Sequence, residues 1–186
     1  MQKNVNSPLL GVAAGSLAVL DLVRKLAPAQ KFHIKWPNDI FCGTAKISGI
    51  LSQFISPRNG APGGLVTGMG INLNMTREQL AVASQEATSV LILTGASCDY
   101  EAALRRFEEI LHDHAEVLKN APETLFSRWK IENGLLGRRV EFLAGDGSTL
   151  TGLFRDIADD GSVILDSDDG RTLTLNCGDV RLLTRA

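Results

Sequence analysis

The alternation of apolar and polar residues predicts that the chain begins with a helix. Ser7 and Pro8 are the residue types of a helix N-cap and first turn, and the apolar pattern continues to Leu26, before Pro28. In the first half of this segment, apolar residues surround most of the helix circumference. We therefore expect the helix to be buried on more than one side.

Three apolar segments with strand character follow the helix, at Phe32–Trp36, Ile47–Phe54 and Gly63–Leu73. The first alternates and meets Pro37, the second follows a loop over 37–45, and the third, rich in Gly, Val, Ile and Leu, is expected to be central. Together with the helix they predict an α+β fold in which helices cover a mixed sheet.

Two further helices precede the clearest boundary in the sequence. Asp99 is expected to cap a helix over Tyr100–Leu118, and a shorter helix spans Pro122–Ile131. Asn133 and Gly134 then end the helical pattern. The sequence thus predicts one domain over residues 1–134 and a second over 135–186.

The second domain is predicted to be a small β-barrel of the SH3 type. Its pattern is one of short strands separated by turns rich in Asp and Gly. The expected strands are Val140–Leu143, Thr149–Phe154, Ser162–Leu165, Thr172–Leu175 and Val180–Leu183.

Composition excludes several classes of function. Nineteen basic and 21 acidic residues give a net charge of −2, which argues against a protein that binds DNA mainly through phosphate contacts. No apolar run reaches the roughly 20 residues that a membrane span requires. The three cysteines form no CxxC pair, so we expect neither a disulfide framework nor a zinc site, and a cytoplasmic location fits best.

The first candidate site combines Lys35, Trp36, Asn38, Asp39 and Lys46. A strand that ends in a proline-fixed turn, followed by a second lysine at the start of the next strand, can bring polar groups together at one end of a sheet. On the residues alone, the simpler interpretation remains open: Asn38 and Asp39 form a turn, Trp36 is core and the lysines are solvated.

The second candidate site lies in the segment that contains Gly68, Gly70 and Asn72. Two glycines two residues apart leave the same face of a strand bare, so a flat ligand can approach the main chain. A glycine bulge followed by a strand-ending asparagine explains the segment equally well. Elsewhere, His112 and His114 are expected to be solvated, and no Ser, Cys or Thr lies beside a convincing base.

The order of these motifs resembles that of the biotin protein ligases, a family related to the lipoate ligases. The resemblance rests on KWPND at Lys35–Asp39, KxxGIL at Lys46–Leu51 six residues later, GMGIN at Gly68–Asn72, and SRW at Ser127–Trp129. It extends from about Leu9 to the end of the chain. It implies a catalytic domain like that of class II synthetases, followed by the SH3-like barrel.

The resemblance also implies an activity. Such ligases form biotinyl-adenylate from biotin and ATP, and then transfer biotin to a lysine of the biotin carboxyl carrier protein, an acetyl-CoA carboxylase subunit. Lys46 and Asp39 are the implied catalytic residues, and Mg²⁺ is expected at Asp39 and Asn72. The implied residues for binding ATP and biotin are Lys35, Trp36, Asn38, Gly49, Gly68, Gly70 and Asn72.

One feature departs from the family pattern. The family places a glycine- and arginine-rich loop before KWPND, whereas only 34 residues precede Lys35 here and none of them has that composition. A non-catalytic or split binding module that needs an N-terminal partner is therefore an alternative, and an uncovered sheet edge invites a homodimer or a partner chain. A lipoate or octanoyl transferase is a third alternative, disfavoured by the barrel.

Overall fold

The computed structural model describes residues 8–58, 63–145 and 147–183, so the predicted N-cap Ser7 lies outside the described residues. The chain forms two compact units. The first runs to Ile34 and resumes at Asn38–Glu132, and the second joins Lys35–Pro37 to the chain from Asn133 onward. Each unit is described separately below.

Within the described residues, the first unit contains five helices and a four-stranded sheet. Its helices are α1 (Pro8–Leu26), α2 (Arg77–Leu80), α3 (Val90–Thr94), α4 (Tyr100–Asn120) and α5 (Pro122–Ile131). Its strands are β1 (Phe32–Lys35), β2 (Asp39–Cys42), β3 (Ala45–Ile55) and β4 (Gly64–Ile71). None of the helices within the described ranges is long and apolar enough to cross a membrane.

The sheet has the order β1-β2-β3-β4. The β2–β3 and β3–β4 pairs are antiparallel, and a parallel bridge joins Lys46 to Ala87. The prediction that the Gly63–Leu73 segment forms a central strand was wrong, because β4 pairs only with β3 and lies at the edge of the described sheet. Strand β2, which lies in the segment predicted as a loop, was missed.

Helix α1 covers one face of β3 and β4 at very short range. A Cβ atom on Gly11 would lie 2.2 Å from Ser52 Oγ, and one on Gly15 would lie 3.1 Å from side-chain carbons of Ile50 and Thr67. The two glycines are four residues apart and therefore lie on one side of the helix. They allow α1 to pack tightly on the sheet. Most residues of α1 are buried, which confirms the prediction that the helix is buried on more than one side.

A network of charged side chains joins α1 to α4 and α5. Asp21 accepts hydrogen bonds from the two terminal guanidinium nitrogens of Arg128 and lies 2.9 Å from His114 Nε2. Arg24 donates two hydrogen bonds to Glu132, at 2.7 and 2.8 Å. His114 is only 8% exposed, so the prediction that it is solvated was wrong.

The described part of the second unit forms a five-stranded antiparallel sheet of order β8-β7-β6-β5-β9. Its strands are β5 (Arg139–Ala144), β6 (Thr149–Ile157), β7 (Val163–Ser167), β8 (Thr172–Leu175) and β9 (Gly178–Leu182). Alternate side chains form the core. The fully buried ones are Val140, Phe142, Phe154, Ile157, Val163, Leu165 and Val180.

Trp36 explains why three residues of the KWPND motif group with this second unit. It is 3% exposed, its ring lies 5.8 Å from that of Phe142, and its Nε1 donates a 2.9 Å hydrogen bond to the Gly161 carbonyl. The sequence had placed Lys35–Pro37 in the first domain. Burial of a large aromatic side chain with its polar atom satisfied accounts for the difference.

Candidate functional site

An ion pair between Lys46 and Asp39 forms the chemical centre of the first unit. Lys46 Nζ lies 2.6 Å from Asp39 Oδ1, and the two side chains are 27% and 14% exposed. Asp39 begins β2 and Lys46 lies near the start of β3. A register shift between Ile40 and Phe41 adjusts the pairing of these two strands at this point.

Gly49 lies directly beneath this ion pair. It is the cross-strand partner of Asp39. A Cβ atom at this position would lie 3.2 Å from both Asp39 Oδ1 and Lys46 Nζ. The glycine therefore lets the two charged groups approach the main chain of β3.

Asn38 is fixed to the main chain of β3 by two hydrogen bonds. Its amide Nδ2 donates to the Ile50 carbonyl at 2.7 Å, and the Ile50 N–H donates to the Asn38 carbonyl at 2.8 Å. The structure therefore gives the Asn38 amide a positioning role beside Asp39. Its contact with a nucleotide stays a prediction.

Asn72 fixes the other side of the site. Its Nδ2 donates to the Thr88 carbonyl at 3.0 Å, and its own carbonyl accepts from Val90 N–H at 3.0 Å. The same segment holds the main chain of Lys46, whose N–H donates to the Glu86 carbonyl and whose carbonyl accepts from Thr88 N–H. Two main-chain hydrogen bonds to this segment thus hold the backbone at Lys46.

The sheet face opposite α1 is nearly bare beside this centre. Gly49 pairs with Gly70 and Leu51 pairs with Gly68 in the β3–β4 register. A Cβ atom on either β4 glycine would meet only a carbonyl oxygen, at 3.9 Å, and Leu51 is 73% exposed. A flat ligand can therefore lie against the main chain here.

The remaining two predicted site residues belong to the second unit. Lys35 Nζ lies 2.8 Å from Asp179 Oδ1, and Trp36 is in the barrel core as described above. The first unit brings together the other seven, which are Asn38, Asp39, Lys46, Gly49, Gly68, Gly70 and Asn72. Ligand contacts of Lys35 and Trp36 stay predictions.

The sequence did not predict a shallow cavity of about 440 Å³, which is lined by residues between Arg77 and Ala87. Its lining includes Glu86, whose carbonyl binds Lys46 N–H, so the cavity adjoins the main chain of the site. Thr76 and Gln79 form a capping box at α2, and this T-x-x-Q pattern was the signal that could have located the segment.

The donor set suits magnesium better than a metal that needs many protein ligands. The described residues contain no group of three or more His, Cys, Asp or Glu side chains able to hold a metal. Asp39 has a carboxylate, and Asn72, whose NH₂ group donates to Thr88, has an amide oxygen. Mg²⁺ is often held by one or two carboxylates together with substrate phosphates, and the residues fit that pattern.

The Cys42 thiol is not activated as a nucleophile. Cys42 ends β2, and burial raises the pKa of its thiol despite an opposing backbone hydrogen bond. A thiol with a raised pKa is a poor nucleophile near neutral pH.

Comparison with known proteins identifies the family. Residues 135–183 match the family described as "Biotin protein ligase C terminal domain". The chain is 33% identical over 173 residues to the biotin–[acetyl-CoA-carboxylase] ligase of Mycobacterium tuberculosis, an alignment that covers 92% of this chain. The chain belongs to the biotin protein ligase family. The bifunctional ligase/repressor BirA of Escherichia coli is 28% identical over 155 residues, or 82% of this chain.

Solved biotin protein ligases have the same fold. The apo enzyme of Aquifex aeolicus aligns with a TM-score of 0.76 at 19% identity, over 94% of this chain and 76% of that one. The same enzyme in complex with biotin and ATP gives a TM-score of 0.72 at 20% identity, over 95% and 72%. The chain spans 61% of the M. tuberculosis ligase and 46% of E. coli BirA.

Proposed function

We propose that this chain forms biotinyl-adenylate from biotin and ATP, and transfers biotin to a lysine of a biotin carboxyl carrier protein of acetyl-CoA carboxylase. The observation that supports this proposal is an ammonium group, on Lys46, held at the edge of a bare glycine-lined sheet face. The M. tuberculosis relative is named for the same reaction, and an A. aeolicus relative has been solved with biotin and ATP.

Adenylate formation requires charge stabilisation at the carboxylate of biotin. One carboxylate oxygen attacks the α-phosphate of ATP, a new oxygen–phosphorus bond forms, and pyrophosphate leaves. Lys46 would face the negative charge that grows on the phosphoryl oxygens, where a preorganised cation favours the transition state. Magnesium at Asp39 and Asn72 would neutralise the nucleotide phosphates.

The transfer step forms an amide bond between biotin and the carrier lysine. The lysine amine attacks the carbonyl carbon of the adenylate, AMP leaves, and the amine loses a proton. Asp39 lies at the site with a carboxylate able to accept that proton, and Lys46 would stabilise the departing phosphate.

Adenylate formation tests the proposal directly. The chain is incubated with biotin, ATP and a purified carrier domain, and pyrophosphate release and carrier mass are measured. Loss of one such donor costs about 2.7–4 kcal/mol of transition-state stabilisation, so Lys46→Ala is expected to reduce the rate roughly 100- to 1000-fold. Lys119→Ala, which removes an exposed ammonium at the end of α4, is the control. Equal rates for Lys46→Ala and the unmodified chain would contradict the proposal.

A second candidate function is a ligase part that works only with a partner chain. The observation that favours it is the outer edge of β4, which no described strand covers. Asn72 N–H donates to Ile47, and in an antiparallel ladder this places the main-chain groups of Leu65, Thr67 and Met69 on the outer side. The strand carries no charge or proline to discourage pairing.

Complementation separates the two candidates. An N-terminal fragment of a full-length relative is added to the reaction, and activity that appears only with the fragment supports the partner-dependent function. Sedimentation equilibrium of the chain alone then shows whether two copies associate instead.

A further inference from the structure

We propose that Gly49 is a positioning residue. The site requires glycine at this position because the Lys46–Asp39 ion pair lies directly over its Cα atom. The inference rests on the role proposed above for Lys46. In the sequence analysis, the family resemblance implied that Gly49 binds ATP or biotin. The present proposal gives Gly49 a different role, which is to make room for the ion pair.

A side chain at Gly49 would crowd the charged ends of the ion pair. A Cβ atom would lie 3.2 Å from Asp39 Oδ1, 3.2 Å from Lys46 Nζ and 3.3 Å from Lys46 Cε. These separations are shorter than ordinary van der Waals contact. The three nearest atoms all belong to the ion pair, so a side chain would press on the charged groups and not on the core.

Backbone conformation does not explain the glycine. Gly49 is absent from the described glycines with positive φ, and it has regular strand pairing with Gly70. Gly70 shows the contrast, because a Cβ there would meet only the Gly49 carbonyl oxygen, at 3.9 Å. The ion pair therefore sets the requirement at position 49.

The main chain around Lys46 limits how the site can adjust. Lys46 N–H donates to Glu86 and its carbonyl accepts from Thr88, both at 2.9 Å or less. The Cα of Asp39 is fixed opposite Gly49 by the strand register. With the main chain held, we expect an added side chain to displace the two charged ends and so to lengthen the ion pair.

The first test measures the reactivity of the Lys46 amine, which needs no enzyme activity. The folded chain is labelled with a trace of N-acetoxysuccinimide, and acylation at Lys46 is quantified by peptide mass spectrometry. Gly49→Val is expected to raise the labelling rate about threefold to fivefold, as loss of a partly exposed ion pair implies. Gly49→Ala, with a smaller side chain, should give a smaller increase.

Three controls make the result specific. Gly64→Val adds the same side chain to a strand position with nothing within 4 Å and should label at the unmodified rate. Asp39→Asn should match Gly49→Val, and combining the two substitutions should give no further increase. Circular dichroism confirms that each variant is folded.

The second test is adenylate formation by the same variants, with Gly49→Val expected to be at least tenfold slower and Gly64→Val unchanged. Faster labelling of Lys46 in Gly49→Val supports the positioning role of Gly49, whether or not the protein makes adenylate. If neither the unmodified chain nor any variant makes adenylate, the proposed function is contradicted and the positioning role is not. Labelling of Gly49→Val at the unmodified rate overturns the positioning role, whatever the activity.

Discussion

Replacement of Asp21 with Asn tests whether the charged network between α1, α4 and α5 stabilises the first unit. Asp21 accepts hydrogen bonds from Arg128 and interacts with His114. Burial alone raises the pKa of Asp21, but the hydrogen bonds from His114 and Arg128 outweigh burial and hold that pKa well below its ordinary value. The carboxylate is thus stabilised in its charged form.

The size of the expected loss of stability depends on how far solvent reaches the interacting side chains. Hydrogen bonds to charged groups contribute about 1.5–3 kcal/mol each in stability measurements. Here the side chains of Asp21 and Arg128 are 25% and 39% exposed, so solvent reduces that contribution, and Asn retains part of the hydrogen bonding. We expect Asp21→Asn to lower the free energy of unfolding by about 2 kcal/mol.

Tryptophan fluorescence can follow the first unit by itself. The sequence has two tryptophans; Trp129 is fully buried beside Phe126 in the first unit, and Trp36 belongs to the second. In a Trp36→Phe background, urea unfolding reports Trp129 only. Glu101→Gln serves as the control, because its 4.0 Å pair with Arg105 is about two-thirds exposed and should contribute less than about 0.5 kcal/mol.

The pH dependence of unfolding tests whether the charged form of Asp21 is what stabilises the network. Because the pKa of Asp21 is lower in the folded state, its contribution is complete above the unfolded pKa near 4 and is lost as the pH falls below that value. The difference between Asp21→Asn and its parent should therefore narrow below about pH 4. A difference under 0.5 kcal/mol at pH 7 would mean that the network contributes no more than an exposed pair.

Three further substitutions test other parts of the molecule. Gly70→Val should weaken biotin binding at least tenfold in calorimetric titration with little change in stability, since valine favours strands; unchanged affinity would contradict the proposed ligand face. Asn72→Ala removes the hydrogen bond to Thr88 and should lower the free energy of unfolding by about 1–3 kcal/mol. It should also speed hydrogen exchange at the Thr88 amide; unchanged exchange would mean that Asn72 does not hold this segment in place. Gly152→Ala would place Cβ 2.3 Å from the Asp166 carbonyl oxygen and should lower the free energy of unfolding of the barrel by about 3 kcal/mol, measured by Trp36 fluorescence in a Trp129→Phe background; wild-type stability would show that the strands separate easily.

Long periodic segments were predictable from the sequence, whereas short elements were not. The helix over Pro122–Ile131 was predicted at its observed bounds, and Asp99 caps α4 as expected. Strand β2 has only four residues and no alternation, so nothing distinguished it from a loop. Helix α3 is also short, although Ser89 and Gly95 are typical cap residues that could have located it.

The motifs located the candidate site, but its contacts depend on distant pairings. The spacing of Asp39 and Lys46 did not indicate an ion pair, because the register shift in β2 decides which side chains meet. His114 was misjudged for a similar reason, since its partner Asp21 lies 93 residues away in the sequence. Trp36 lies in a motif associated with the site, yet its packing partners come from the barrel.

The two asparagines that hold the site have a consequence for how the protein ages. Asn38 and Asn72 each direct an NH₂ group at a main-chain carbonyl, of Ile50 and Thr88 respectively. Deamidation replaces that NH₂ with an oxygen of almost the same size, so the side chain keeps its shape while the attraction becomes a repulsion between two acceptors. A stored sample would thus lose the local geometry through slow loss of side-chain amides, without cleavage of the peptide chain.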